Sequence, residues 1–229
     1  NYVIFTILKK KNNQNYGKRT TYENAFVDWA GAEYIRPKYK VVTDKFPLMA
    51  IFAYCKNLKK IEAEYFDFSA LVLSDTASAS GNCKTYQGCT SLVEIEDVKL
   101  PAGYYYQTWR NCSSLKTIGG TIKFNETTLN TNAFQGCTSL ENITIEGTIG
   151  KSISFVDCPL TVESAKSVLF HLKNFESNAN PNWQKNTVTF SDATINALNS
   201  TTIDPWETDL VTAPTAWTSF VKDIIGWTY

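Results

Sequence analysis

The stretch AFQGCTSLENITI, residues 133–145, decides the fold because its pattern recurs along the chain. It places an aromatic residue, a cysteine, a leucine and an isoleucine at three-residue intervals. The same pattern occurs in FAYCKNLKKI (52–61), YQGCTSLVEI (86–95) and WRNCSSLKTI (109–118), and a partial copy, FVDCPL, begins at Phe155. The cysteines of these five copies are 34, 23, 25 and 21 residues apart. Three of these four intervals fall within the period of about 20–29 residues that is typical of leucine-rich repeats.

The motif predicts how successive copies fold together. Residues three apart lie on one face of a short helix or 3₁₀ turn, and the Leu-x-x-Ile segment leads into a strand. One copy cannot bury its own apolar edge, so copies are expected to stack around a common core. The sequence therefore predicts an α/β repeat solenoid, a short β-rich stack over residues 50–160. We interpret SDTASASG (74–81), in the longest interval, as a loop inserted in the first coil.

The repeat resembles the BspA-type (Treponema-type) leucine-rich repeat, whose units follow A-F-x-x-C-x-x-L-x-x-I-x-I. Residues 133–145 match this consensus almost letter for letter, whereas Tyr86 and Trp109 replace the phenylalanine in two looser copies. The resemblance implies a leucine-rich-repeat stack on a bacterial surface or on a bacteriophage particle. Three later segments, LTVESAKSVL, TVTFSDATINAL and GWT, resemble a tail that follows such repeats in proteins of gut bacteria and their phages. This second likeness favours the phage particle.

The two ends are predicted to be caps. In residues 1–49 the strand-like segments YVIFTIL and YKVVTD flank a turn rich in Asn, Gly and Lys, which indicates a hairpin-like β cap or a link to an upstream domain. Residues 161–229 are expected to form an α/β cap. Its predicted elements are a helix from Thr161, the N-cap, to Phe175, a strand over 186–190, a helix over 191–198 capped by Ser191, and a helix over 215–226 ending at Gly226.

Composition and charge narrow the class of protein. The 229 residues are 43% hydrophobic and 19% charged, which is typical of a globular chain. No stretch approaches the run of about 20 apolar residues that spans a membrane, so we expect no membrane insertion. The zero net charge combines +5 in residues 1–45 with −5 in the rest. We expect the basic segment to form a solvated strand edge or to contact an acidic neighbour, and not to bind nucleic acid.

The cysteines and the histidine offer little chemistry. One cysteine per copy at a fixed position is typical of buried free thiols, and Cys83, outside the motif, is expected to be an exposed thiol or a loop anchor. There is no CxxC pair and only one histidine, His171, so we predict no metal site and no cofactor. His171 lies between apolar neighbours in a predicted helix, where a packing or surface role is expected.

Nothing in the sequence predicts an active site. TIGGT (117–121) lacks the lysine and the length of a phosphate-binding loop. The pairs Glu94/Glu96 and Glu62/Glu64 could serve a glycosidase, but alternating acids on a strand are typical of a solvated face. We therefore expect no catalytic residues.

Binding residues are predicted on two surfaces. Outward positions of successive strands form a flat polar row that is either a docking face or the wet side of a sheet; its candidates are Lys60, Glu62, Glu94, Glu96, Asn142 and Thr144, with Thr117 and Gly119 between them. The second surface is the cluster Tyr104, Tyr105 and Tyr106, where at least one ring is expected to be exposed.

The functional hypothesis is a non-enzymatic recognition or structural module on a phage particle: a tail fibre, receptor-binding or decoration protein. Its partners would be a protein or glycan on a host surface, neighbouring virion subunits or a second copy of the chain. A bacterial cell-surface adhesin is the alternative, and a carbohydrate-active enzyme is the third hypothesis.

Overall fold

The computed structural model describes residues 2–5, 26–29, 31–37, 41–42, 50–69, 84–175, 180–182, 184–204, 214 and 216–229, with the backbone alone for 2–5 and 41–42. The interpretations given above for Cys83, for the loop at 74–81 and for most of the basic segment fall on residues outside this part of the chain.

Short strands and a few helices alternate along the described chain. The strands are β1 (Tyr2–Phe5), β2 (Tyr34–Pro37), β3 (Val41–Val42), β4 (Lys60–Ile61), β5 (Phe66–Asp67), β6 (Glu94–Ile95), β7 (Thr117–Ile118), β8 (Ile122–Phe124), β9 (Ile145–Gly147), β10 (Ile153–Phe155) and β11 (Val188–Phe190). The helices are α1 (Val162–Phe170), α2 (Asp192–Asn199) and α3 (Trp217–Ser219), which continues as a π-helical turn over Phe220–Ile224.

Strands of successive motif copies pair in parallel and in register. In the sheet β4-β6-β7, Ile61 lies beside Ile95 and Ile95 beside Ile118, and all three are buried. Strands β8 and β9 form a second parallel pair, and β10 and β11 a third. The motif isoleucines therefore form one continuous row of the core.

A ladder of stacked rings runs through the core beside these strands. Neighbouring ring centroids are 4.6–6.5 Å apart along Phe26, Phe52, Tyr86, Trp109, Phe134, Phe155, Phe190 and Tyr229. The ladder begins before the first motif copy recognised in the sequence and ends in the predicted cap. One apolar core therefore joins the three predicted regions.

In the four complete motif copies, the residue two positions after the aromatic adopts a left-handed backbone conformation. Its φ is 61° at Tyr54, 73° at Gly88, 61° at Asn111 and 74° at Gly136. The N–H of Tyr54 donates to the carbonyl of Gln87 at 2.7 Å, and that of Gly88 to the carbonyl of Arg110 at 2.8 Å. Glycine is the residue that adopts this conformation at least cost, which explains its presence in two of the four copies.

The amino-terminal segment is not the expected hairpin. Strand β1 pairs in parallel with β2, and β3 pairs in parallel with β5. The physical reason is a further motif copy: Phe26, Trp29, Ala32 and Ile35 have the motif spacing, with Trp29 in the place of the cysteine. Phe26 stacks on Phe52, and its N–H donates to the carbonyl of Ile51 at 2.9 Å. This segment therefore packs as the repeats do.

The first two carboxy-terminal helices begin where the sequence predicts, whereas the strand predicted from residue 186 begins at Val188 and the last helix, predicted from residue 215, begins at Trp217. Thr161 caps α1 and Ser191 caps α2, each hydroxyl accepting a hydrogen bond from the N–H three residues later. Helix α1 ends at Phe170 rather than Phe175, and the predicted final helix is divided into α3 and the π-helical turn. Gly226, at φ 73°, follows the latter as expected. No helix in the described part is long and apolar enough to cross a membrane.

Two hydroxyl groups of helix α1 accept hydrogen bonds from the main chain at Ile143 and Ile145. The N–H of Ile143 donates to Ser164 Oγ at 3.0 Å, and the N–H of Ile145 donates to Ser167 Oγ at 2.9 Å. These hydroxyls take the place of the carbonyls that a further strand would supply, so the edge does not offer open donors at these positions.

Candidate functional site

The polar row predicted from the sequence is built by the parallel register. Lys60 lies beside Glu94, Glu94 beside Thr117, and Thr117 beside Asn142. Two residues further along the chain lie Glu62, Glu96, Gly119 and Thr144, of which Glu96 and Thr144 are exposed. We call these eight residues the polar face.

Ion pairs hold the charged half of the polar face. Lys60 Nζ lies 3.1 Å from a carboxylate oxygen of Glu94 and 2.7 Å from one of Glu96, and Glu96 also accepts the N–H of Ala63 at 2.8 Å. The hydrogen bonds to Glu96 and Glu94 raise the pKa of Lys60, and the hydrogen bond from Lys60 is the main cause of the lowered pKa of Glu96. Glu96 is thus held charged beside the Lys60 ammonium group, which Glu94 also contacts.

Glu62 is engaged by a residue outside the predicted face. Arg36, in β2, donates from Nε at 2.5 Å and from Nη2 at 2.7 Å to the two carboxylate oxygens of Glu62. This fork-to-fork geometry fixes both side chains. The Glu62 side chain is only 15% exposed, so it lies deeper than the outward position that the sequence suggested.

The other half of the polar face is uncharged. Asn142 Nδ2 lies 3.4 Å from Thr117 Oγ1, and both Asn142 and Thr144 are exposed. A Cβ at Gly119 would overlap the carbonyl oxygen of Glu96, so the two main chains touch here. The face therefore changes from an ion-paired surface to a neutral amide and hydroxyl surface.

The tyrosine cluster differs from the expectation. Tyr105 is fully buried: it packs on Trp109 and Phe124, and its hydroxyl donates to the carbonyls of Pro101 at 3.0 Å and Lys123 at 2.8 Å. It is a core residue and cannot contact a partner. Tyr104 and Tyr106 are half-buried rather than exposed, and their rings stack with centroids 5.9 Å apart. Only these two remain candidates for contact.

The motif thiols do not present a nucleophile. All five are free and buried, and burial raises the pKa of Cys55 and of Cys137 to about 12. A thiol with so high a pKa is protonated at neutral pH, and the thiolate is the reactive form. These cysteines are structural residues.

The other candidate reactive groups are dispersed. His171 is half-buried, and its Nδ1 lies 2.7 Å from the carbonyl of Ser167 in its own helix. The described residues include no cluster of His, Cys, Asp and Glu that could hold a metal ion. Glu94 and Glu96 share Lys60, so they are the partners of a cation rather than a free pair of carboxyl groups.

A groove that the sequence reasoning missed lies on another face. It has a volume of about 610 Å³. Hydroxyl side chains of two strands and amides of the preceding copy line it, among them Asn130, Ser152, Ser154, Thr187 and Thr189. We call it the hydroxyl groove. The signal was available in the alternation Ser-Ile-Ser of KSISF (151–155) and Thr-Val-Thr of NTVTF (186–190), which puts hydroxyls on one side of each strand.

The chain matches no protein-family model, no curated protein and no solved structure at a significant level.

Proposed function

We propose that the chain is a non-enzymatic recognition or structural module, a short repeat solenoid that presents its polar face to a partner. The resemblance to BspA-type repeats is the ground for expecting it on a bacteriophage particle, as a tail fibre, receptor-binding or decoration protein. The partner would then be a protein or glycan of the host surface, a neighbouring virion subunit or a second copy of the chain.

The in-register polar face is the observation that carries this proposal. Its side chains come from segments more than twenty residues apart, yet Glu94 and Glu96 both lie within hydrogen-bonding distance of Lys60 Nζ. A surface fixed in this way loses little side-chain freedom when a partner binds, which favours affinity. The stacked rings and parallel strands beneath it support the interpretation as a rigid scaffold.

The burial of the reactive groups supports a non-enzymatic role. The motif thiols lie in the core with raised pKa values. His171 is bound to its own helix, and the acids of the polar face are bound to Lys60 or Arg36. A catalytic group needs access to a substrate and a pKa suited to proton transfer.

The neutral half of the polar face offers the sharpest test. Thr117→Arg and Asn142→Arg would place long cations where a partner is expected to dock, without touching the core. We expect the labelled chain to bind intact gut bacteria or purified phage particles, measured by flow cytometry or by sedimentation with particles. Either variant should weaken this binding at least tenfold.

Asn199→Arg is the matched control. Asn199 is exposed at the end of α2, so this variant adds the same charge away from the polar face. Equal loss in the control would mean that charge alone, and not the polar face, governs binding. Release of reducing ends from a glycan by the purified chain would contradict the non-enzymatic role and favour a carbohydrate-active enzyme.

A further inference from the structure

We propose that the hydroxyl groove binds a neutral saccharide. This inference rests on the proposed function, because it names a ligand class for a recognition module, but it concerns a surface separate from the polar face. The groove, at about 610 Å³, falls within the range of roughly 300–1,000 Å³ that small-molecule sites occupy.

Two ranks of hydroxyl groups form the floor of the groove. In the first rank Ser152 Oγ accepts the N–H of Thr187 at 3.0 Å, and in the second Ser154 Oγ lies 2.7 Å from Thr189 Oγ1. The ranks are two residues apart on parallel strands, which separates them by about 6.6 Å. Each hydroxyl can both donate and accept, and this is the hydrogen-bonding character of a sugar hydroxyl.

An unpaired donor lines the groove. Asn130 is 6% exposed, and its Nδ2 is buried with no hydrogen-bond partner. Leaving a buried donor unpaired costs about 1–3 kcal/mol, so natural proteins satisfy nearly all such groups. If the Asn130 amide turns toward the groove, a ligand hydroxyl or carbonyl oxygen there would supply the missing acceptor.

The charge of the groove points to a neutral ligand. Among the described residues that line it, Asp157 is the only ionisable one, and its Oδ2 already accepts the N–H of Gly136 at 2.8 Å. The described lining includes no lysine or arginine to receive a phosphate, sulfate or carboxylate. Anionic ligands are therefore disfavoured.

An apolar patch completes the match with a sugar ring. Val156 follows β10 at the groove and is 58% exposed, the most exposed large apolar side chain in the described part of the chain. A pyranose has polar edges and apolar C–H faces, so it can contact Val156 while its hydroxyls reach the two ranks. This arrangement of few polar groups around an apolar contact is usual for ligand sites.

The experiment is a titration of the purified full chain, followed by two-dimensional amide NMR. The probes are maltotriose, cellotriose, mannotriose and N,N′,N″-triacetylchitotriose, each at about 10 mM, a concentration that fills a site with millimolar Kd. The acidic trisaccharide 3′-sialyllactose is the comparison. We expect at least one neutral probe to shift the signals of the Asn130 side-chain amide and of the Thr187 and Thr189 main chain.

Two variants separate the groove from the rest of the surface. Ser154→Ala removes one hydroxyl from an exposed position and should weaken binding at least threefold, whereas Ser154→Arg should block the groove and weaken it at least tenfold. Thr90→Ala, which removes an exposed hydroxyl outside both the groove and the polar face, should leave the affinity unchanged. Unaltered thermal unfolding of each variant would exclude misfolding as the cause.

Three results would overturn the inference: no shift with any neutral probe, binding of the acidic trisaccharide alone, or binding that Ser154→Arg leaves intact. None of them affects the test of the proposed function, which depends on the polar face and on whole cells or particles. Conversely, a chain that binds a neutral probe through the groove but binds neither cells nor phage would uphold this inference and reject the docking role of the polar face.

Discussion

The thiol of Cys112 donates a hydrogen bond to the main-chain carbonyl of Tyr86, 3.0 Å away in the preceding motif copy. Cys89 bears the same relation to Phe52, and Cys137 to Trp109, each at 3.0 Å. The motif cysteine therefore fills space and also links each copy to the one before it. This explains why a thiol, a small apolar group with a weak donor, suits the position better than alanine or serine.

Thiol reactivity is expected to distinguish the motif cysteines from an exposed thiol. In a Cys83→Ser variant, a thiol reagent near neutral pH should find no rapidly reacting group, because the five remaining cysteines are buried and protonated. All five should react once denaturant is added. Rapid reaction of any motif thiol in the folded protein would contradict their placement in the core.

Stability is expected to fall in alkaline solution. The thiols of Cys55 and Cys137 ionise near pH 9.0 in the unfolded chain, but burial raises their pKa to about 12 in the folded state. Because the unfolded chain loses these protons first, the contribution of the two protonated thiols to the free energy of unfolding is complete below about pH 9. It is lost between pH 9 and 12, at up to about 1.4 kcal/mol per pH unit for each thiol.

Denaturant unfolding under reducing conditions at about pH 8, 9 and 10 measures this loss. Cys137→Ala should make the decline with pH shallower, since one fewer thiol is held protonated. A variant with the same pH dependence as the parent chain would mean that the tyrosines, not the thiols, cause the decline.

Substitution of Gly119 by alanine tests the close approach of main chains in the polar face, and the same substitution at Gly31 is its control. Gly119→Ala would push a Cβ into the carbonyl of Glu96, so we expect a loss of about 1–3 kcal/mol in the free energy of unfolding. Gly31→Ala meets no atom within 4 Å and should change it by less than about 0.5 kcal/mol. Similar losses in thermal or urea unfolding would show that the strands do not touch at Gly119.

The sequence pattern predicts those features of the fold that depend on residues close together in the chain. The caps Thr161 and Ser191 follow from the sequence because each hydroxyl bonds within three residues of itself. The sequence pattern does not identify the copy at Phe26 because Trp29 stands at the position of the motif cysteine, although the three-residue spacing is intact. Packing tolerates the exchange since the Trp29 ring still lies against Phe26, with ring centroids 5.1 Å apart.

The candidate sites depend on contacts that no local pattern contains. The spacing of Lys60 and Glu94 predicts that they are neighbours, but the engagement of Glu62 depends on Arg36, 26 residues earlier. The hydroxyl groove likewise joins residues near 130, 154 and 189. Sequence reasoning placed all three tyrosines of 104–106 in one candidate surface because alternation cannot say which ring enters the core.

The ion pairs of the polar face can be tested by titration. Lys60→Met should raise the pKa of Glu96, because the hydrogen bond from Lys60 is the main cause of its lowering. Lys59→Met is the matched control: Lys59 lowers the pKa of Glu33, 3.0 Å away, so this variant should move Glu33 and leave Glu96 unchanged. Carbon-13 NMR of the glutamate carboxyl groups follows both. An unmoved Glu96 in Lys60→Met would show that the pair does not form in solution.

The tyrosine cluster gives the clearest separation of core from surface, because two adjacent residues carry the same ring in different surroundings. Tyr105 is fully buried, and its hydroxyl serves the carbonyls of Pro101 and Lys123. Tyr105→Phe removes that donor without changing the packing, so the free energy of unfolding should fall by about 1–3 kcal/mol. Tyr106→Phe keeps the ring contacts with Tyr104 and Lys84 at a half-buried position and should stay within about 0.5 kcal/mol.

Urea unfolding of the two variants measures both values.

Binding to cells or particles tests the half-buried pair. Tyr104→Ala and Tyr106→Ala each remove one ring of this pair, and if these rings contact a partner, binding should weaken by more than about 1 kcal/mol while the core is retained. A normal affinity in both would assign the pair to the scaffold. Equal losses of stability in Tyr105→Phe and Tyr106→Phe would instead contradict the burial of Tyr105, since only a buried hydroxyl leaves carbonyls without a partner when it is removed.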